Sequence, residues 1–255
     1  MFFPLSDDDQ EIDGPAYVTW GLLIVNILVF LVQMSDPTFT YAYSMVPYEI
    51  TTGEDLTGPE LLESQGQTIE IPHEPGPPII YLTLLTSMFM HGGIGHIFGN
   101  MLYLWIFGDN VEHRFGHLLF FIFYMISGLV ASFAQIMLDP DSIIPNLGAS
   151  GAIFGVLGAY MVLFPRNKVN VIVFYVIVSI PAVIVIGVWA AIQLFNTWGN
   201  LAIAGQTGGV AHMAHVGGLV AGVIMGFIAR VMIKEEPDST LYRQYESDPE
   251  VKQWW

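Results

Sequence analysis

Six stretches of this chain are too long and too apolar to be core helices of a water-soluble protein: residues 16–32, about 88–107, 117–138, 147–164, 169–195 and 210–233. A helix rises ~1.5 Å per residue, so about 17 or more apolar residues in succession match the ~30 Å hydrocarbon layer of a bilayer. Each stretch is predicted to be a membrane-spanning helix, and the fold class is all-α, a polytopic bundle of six spans. Charged residues make up 12% of the 255, where a soluble domain carries about a quarter. A soluble globular enzyme is excluded. The chain has no cysteine, which excludes disulfide frameworks, thiolate metal sites and cysteine nucleophiles.

Charge sets the predicted orientation. With 23 acidic and 7 basic residues and a net charge of −16, the chain is unsuited to a nucleic-acid partner, whose phosphates need Lys and Arg. If the N-terminus is inside, all seven cations (Arg114, Arg166, Lys168, Arg230, Lys234, Arg243, Lys252) are cytoplasmic, whereas segments 33–87, 139–146 and 196–209 hold ten acidic residues and no cation. Lys and Arg are retained on the cytoplasmic side of short loops, so both termini are expected in the cytoplasm and the protein in the cell membrane. The expected organisation is a cytoplasmic acidic tail (1–15) with no removable signal peptide, a six-helix membrane domain (16–233) with a long external loop (33–87), and a polar, disordered cytoplasmic tail (234–255). The middle of the external loop, 49–78, is rich in Pro, Gly and Glu and reads as irregular, with no sheet of its own. It is either an acidic connector or a lid.

Ionisable and polar side chains inside spans are costly and therefore point to function. Span 2 carries His96 and Asn100, span 4 Ser150, and span 6 His212 and His215. His96 and Asn100 are four apart and share one helical face. Counted from the external end, Ser150 and His215 differ in depth by only ~3 Å, and span 2 matches them if it starts near Gly92 or Gly93. Gly218, Gly222 and Gly226 form a small-residue stripe on span 6 that also carries His215, and Gly151, Gly155 and Ala159 supply its counterpart on span 4. An imidazole beside a serine hydroxyl can accept its proton and make it a nucleophile without a third carboxylate. Ser150 near a helix N-terminus would offer backbone N–H groups to an oxyanion, with Asn100 and His96 as further donors. From the residues alone a second chemistry stays open, in which His91, His96, His212 and His215 form a metal or proton pathway.

Three motifs together resemble the rhomboid family of intramembrane serine proteases: His91-Gly-Gly-Ile-Gly-His96-Ile-Phe-Gly-Asn100, Gly148-Ala-Ser150-Gly151 and Ala214-His215-Val216-Gly217-Gly218. They fall in order on spans 2, 4 and 6. The resemblance implies a serine endopeptidase that cleaves transmembrane segments of membrane proteins and needs no cofactor or metal. It implies Ser150 as nucleophile, His215 as general base and then acid, and Asn100, His96 and the Ser150 N–H as oxyanion donors. It also places the Phe154 ring against the catalytic imidazole. A non-proteolytic rhomboid-like scaffold is the alternative, although such scaffolds are expected to lack part of the dyad. The external loop lacks the Trp-Arg pair of some members, and a seventh span is not expected after residue 233.

Span 5 is either the gate for substrate entry or a helix with an ordinary proline kink that merely faces lipid. It is built from bulky residues, 171–178 and 183–188 among them, and Pro181 is read as a mid-span break that loosens its packing against span 2.

Overall fold

The computed structural model describes residues 3–7, 14–64, 66–173, 175–202 and 212–233. Three helices are long and apolar enough to cross a membrane: α1 (Tyr17–Ser35), α6 (His117–Leu138) and the C-terminal helix His212–Met232. After α1 come two short helices, α2 (Pro37–Tyr43) and α3 (Pro47–Thr52). The Asp36 carboxylate caps α2 by accepting from Thr38 N at 3.0 Å, and Pro begins both helices at a position where its missing N–H costs nothing. A hairpin follows, β2 (Glu60–Ser64) with β3 (Gln67–Ile71), and then α4 (Thr83–Thr86) between two 3-10 turns. The bundle continues with α5 (Ile94–Phe115), α6 and α7 (Ser150–Leu163). Strands β4 (Lys168–Val173) and β5 (Val176–Pro181) lead into α8 (Ala182–Ala202), and α9 (His212–Met232) closes the described chain.

Helix α7 is the axis of the bundle: twelve of its fourteen residues are buried. At ~1.5 Å per residue it is only ~21 Å long, against ~30 Å of hydrocarbon. A helix this short is tolerated because protein surrounds it.

The sequence reading of an all-α chain misses strands in three places. The stretch 169–195 is not one helix, because its first half is the β4–β5 hairpin and the helix starts at Ala182. An unbroken apolar run does not distinguish strand from helix, and the Val and Ile enrichment of 169–180 is the β signal. Pro181 accordingly ends β5, paired with Lys168, and kinks nothing. Residues 171–178 cannot loosen a gate helix. The external loop does contain a sheet, β2–β3, with Leu62 opposite Ile69 and Gly66 turning at φ 75°. Its strands bury no face, so no hydrophobic alternation marks them. Finally, residues 3–7 are not a solvated tail. Strand β1 (Phe3–Ser6) pairs antiparallel with β4 to give a sheet of order β1-β4-β5. Asp7 is 7% exposed and accepts from Asn110 Nδ2 at 2.8 Å and Tyr160 Oη at 2.6 Å. The remaining tail residues 1–2, 8–13 and 234–255 lie outside the described residues, as do 203–211 between α8 and α9.

The long connection between α1 and α5 is fastened to the segment that delivers Ser150. Met45 and Asn146 exchange backbone hydrogen bonds of 3.0 and 2.7 Å, and Tyr48 N donates to Ser142 O at 3.0 Å. Glu49 of α3 is 4% exposed and accepts from Leu56 N at 3.0 Å. Burial pushes its carboxyl up from 4.5 to about 7. Because the folded state holds this proton where the unfolded chain has lost it, Glu49 lowers stability as pH rises from about 4.5 through about 7. Glu49→Gln keeps the acceptor for Leu56 and removes the titration. The variant should melt higher than the parent at pH 8 and equally at pH 4, in parallel detergent melts; a gain at pH 4 alone would contradict this account.

Candidate active site

Gly93 precedes α5, so span 2 begins at Ile94 and not near residue 88. His96 is then its third residue and Asn100 its seventh. Ser150 is the first residue of α7, and His215 the fourth of α9. The structure brings the last two together: His215 Nε2 lies 2.8 Å from Ser150 Oγ. Phe154, one turn into α7, stacks on the His215 ring at 4.3 Å between centroids and 10° between planes. No Asp or Glu occurs in α7 or α9, and the Phe154 ring face holds the plane of the imidazole.

Backbone contact between α7 and α9 sets this distance. A Cβ on Gly218 would collide with the Gly151 carbonyl oxygen, and one on Gly222 with that of Gly155. Between backbones this close, even one added carbon must displace a helix. The seam read from the glycine stripes is thus the contact that brings Ser150 and His215 into reach.

The donors around Ser150 are arranged on the α5 side. Gly148 has φ 134°, a conformation suited to Gly, and a Cβ there would lie 3.0 Å from His96 Cε1 and Nε2. The His96 ring therefore borders the turn that presents Ser150. Its Nδ1 accepts from Gly92 N at 3.2 Å, which assigns the proton of a neutral ring to Nε2, the atom beside Gly148. Asn100 is 8% exposed, and its Nδ2 is buried with no hydrogen-bond partner. An unmet buried donor costs about 1–3 kcal/mol, a cost removed whenever an acceptor arrives. A cavity of about 30 Å³ opens beside Ser150, lined by Ser87, Ser132, Gln135 and Gly148 among others. Its size suits a water molecule or a small side chain.

His91 and His212 are placed apart from the Ser150–His215 pair. His91 is 2% exposed, and its ring meets His96 edge-on at 5.2 Å. The His212 ring lies edge-on to His215 at 6.3 Å. Among the described residues no three His, Asp or Glu side chains converge as metal ligands.

Sequence reasoning missed two supports. Gln33 of α1 holds the His91 backbone from both sides, its Oε1 accepting from His91 N at 2.9 Å and its Nε2 donating to His91 O at 3.1 Å. Trp189 of α8 is sandwiched between Phe154 at 4.6 Å and Tyr103 of α5 at 4.4 Å. Beyond this stack α8 makes little contact with α5 among the described residues, far less than α7 makes with α9, in keeping with the expected loose packing of span 5 against span 2. Gln33 falls one residue past the expected end of span 1 and so does not stand out as a polar residue inside a span; nothing in the sequence singles out Trp189.

The sequence profile of the Rhomboid domain matches residues 80–231, well over half of the chain. This chain belongs to the rhomboid family. It is 34% identical over 159 residues to the mitochondrial rhomboid protein 1 of Saccharomyces cerevisiae, covering 60% of this chain and 44% of that one. It is 30% identical over 196 residues to the rhomboid protease GluP of Bacillus subtilis, covering 74% of this chain and 34% of that one. RHOMBOID-like protein 2 of Arabidopsis thaliana is 34% identical over 148 residues, 58% and 42% of the two chains. The chain thus spans between about a third and under half of the length of these relatives. As a rhomboid it is embedded in a membrane.

The seam generates a direct test. Gly222→Val should force α7 and α9 apart, costing at least ~1–3 kcal/mol as overpacking does, and thermal unfolding in detergent should show a clearly lower midpoint. An unchanged midpoint would remove the backbone contact as the determinant of the geometry.

Proposed function

We propose that this rhomboid is an intramembrane serine endopeptidase that cleaves transmembrane segments of other membrane proteins through the Ser150–His215 dyad. The observation that carries the reading is the 2.8 Å approach of His215 Nε2 to Ser150 Oγ at the start of a buried helix. His215 takes the Ser150 proton as Oγ attacks the scissile carbonyl. The protonated imidazole then gives that proton to the leaving amine, leaving an acyl-enzyme. A water molecule, deprotonated by His215, attacks the ester, and the proton returns to Ser150 as the acid departs.

The negative charge formed on the carbonyl oxygen is assigned to the Ser150 N–H, His96 Nε2 and Asn100 Nδ2. The unfilled Asn100 donor supports this, because a group already desolvated and fixed needs no reorganisation when charge develops. The name of GluP supports peptide hydrolysis as the reaction, and the intact Ser and His weigh against a non-proteolytic scaffold. We read six helices as spans, α1, α5, α6, α7, α8 and α9, with α5, α7 and α8 crossing as parts of the bundle, and place Ser150 near the external face of a cell membrane with both termini inside, on the distribution of the seven cations. The small cavity beside Ser150 favours small side chains at the cut.

A serine-reactive fluorophosphonate should label the detergent-solubilised protein, lose all labelling in Ser150→Ala and most of it in His215→Ala. Unaltered labelling in both variants would reject the dyad.

For the oxyanion assignment, Asn100→Ala should lower kcat by up to ~10²-fold, less if the other two donors compensate in part, while KM changes little. Steady-state cleavage of a transmembrane substrate checks this, and full kcat in the variant would take Asn100 out of the mechanism.

A further inference from the structure

The β4–β5 hairpin is an apolar surface that the bundle leaves uncovered. The sequence from 171 to 178 reads VIVFYVIV, and no charged residue occurs between Lys168 and Arg230. The base of the hairpin belongs to the fold: Val169 and Val171 are fully buried in the same core as Leu163 and Phe164 of the α7 end. The outer half does not. Val176 is 61% exposed, Ile177 62% and Tyr175 fully so. Neighbouring strand residues point to opposite faces, so both faces of the outer half of β5 are bare and a groove on one side of a partner protein could cover only one of them. Strand β1 occupies the free edge of β4, and the outer edge of β5 has no strand partner among the described residues.

The surroundings identify the occupant. Only residues 164–167 separate α7 from β4, and α8 begins immediately after β5. The hairpin is therefore held at the rim of the bundle, at the end away from Ser150. Its bare surface runs on into the outward face of α8, where Val183, Ile184 and Val188 are 42–52% exposed. Arg166 and Lys168, both exposed, stand at the base where they can meet lipid phosphates. Tyr175 occupies the tip with φ 73°, a conformation that tight hairpins in water fill with Gly or Asn. An aromatic ring at that position matches the preference of Tyr for the membrane–water boundary. Water would leave an uncharged, β-branched open edge ready to pair with other chains. The hydrocarbon centre is equally excluded, since the unpaired N–H and C=O groups along β5 would find no partner there. One depth satisfies both constraints. We propose that the β4–β5 hairpin is a lipid-binding surface seated at the headgroup boundary of the leaflet farther from Ser150, where it anchors the start of α8.

Because the chain has no cysteine, Tyr175→Cys and Ile177→Cys each give a unique labelling site on an exposed side chain. Glu63→Cys, on the exposed β2 strand, is the solvated control. Each variant of the full chain is labelled with the environment-sensitive fluorophore NBD and reconstituted into phosphatidylcholine vesicles. The expected result is several-fold weaker quenching by aqueous iodide at 175 and 177 than at 63, together with strong quenching by lipids carrying a nitroxide high on the acyl chain. Iodide quenching equal to that at 63 would overturn the proposal and leave the hairpin in water. Protection from iodide without nitroxide quenching, varying with the protein-to-lipid ratio, would also overturn it and indicate a second copy of the chain pairing along β5. The readout involves no proteolysis, so it stands or falls separately from the Ser150–His215 reading.

Discussion

The proposed dyad depends on two helices touching through their backbones. Lipid tails offer α7 and α9 no hydrophobic reason to associate, so the contact must come from close packing, and Gly218 and Gly222 allow carbonyl oxygens of α7 to approach where any side chain would intrude. The Ser150–His215 hydrogen bond is a consequence of that contact and does not hold it. One such bond contributes about 0.5–1.5 kcal/mol net, too little to fix two helices against thermal motion, whereas a glycine seam several turns long fixes both spacing and axial register. Register is what the chemistry requires, since a slip of one residue would move the imidazole by ~1.5 Å and break a contact of 2.8 Å.

The polar end of α5 shows how a membrane bundle accommodates charge. Asn110 and Glu112 would disqualify this helix as a span on composition, yet each is buried and matched. Glu112 accepts from Val18 N, Thr19 N and Thr19 Oγ1 at 2.7–2.9 Å, and His117 Nδ1 lies 2.5 Å away. The carboxylate thus satisfies the orphan N–H groups at the start of α1, which has no side-chain cap of its own. A residue that reads as a defect in one helix is the missing terminus of another.

The parts readable in the sequence are those encoded locally. Apolar length marked α1, α6 and α9, and four-residue spacing put His96 and Asn100 on one face of α5. Glycine stripes anticipated the seam, and a short motif singled out Ser150. The unreadable parts depend on partners distant in the chain. Asp7 looks like one more acid in a solvated tail until Asn110 and Tyr160 are known to meet it. Strands 168–173 and 176–181 look like helix because both surroundings demand apolar residues, and only β-branching hinted otherwise. Trp189 is one of 6 tryptophans, and its place between Phe154 and Tyr103 exists only once α5, α7 and α8 are assembled.

The pairing of β1 with β4 has a consequence for the order of events during folding. Ser6 meets Asn170 across 164 residues of sequence, so β1 must wait for its place until α7 and the hairpin after it have been made. Contacts of such separation form late, because the loop they close must first be shortened by everything in between. Until then β1 has no strand to pair with. The closing of that sheet would mark, within the cell, the moment at which the first four of the six spans have come together.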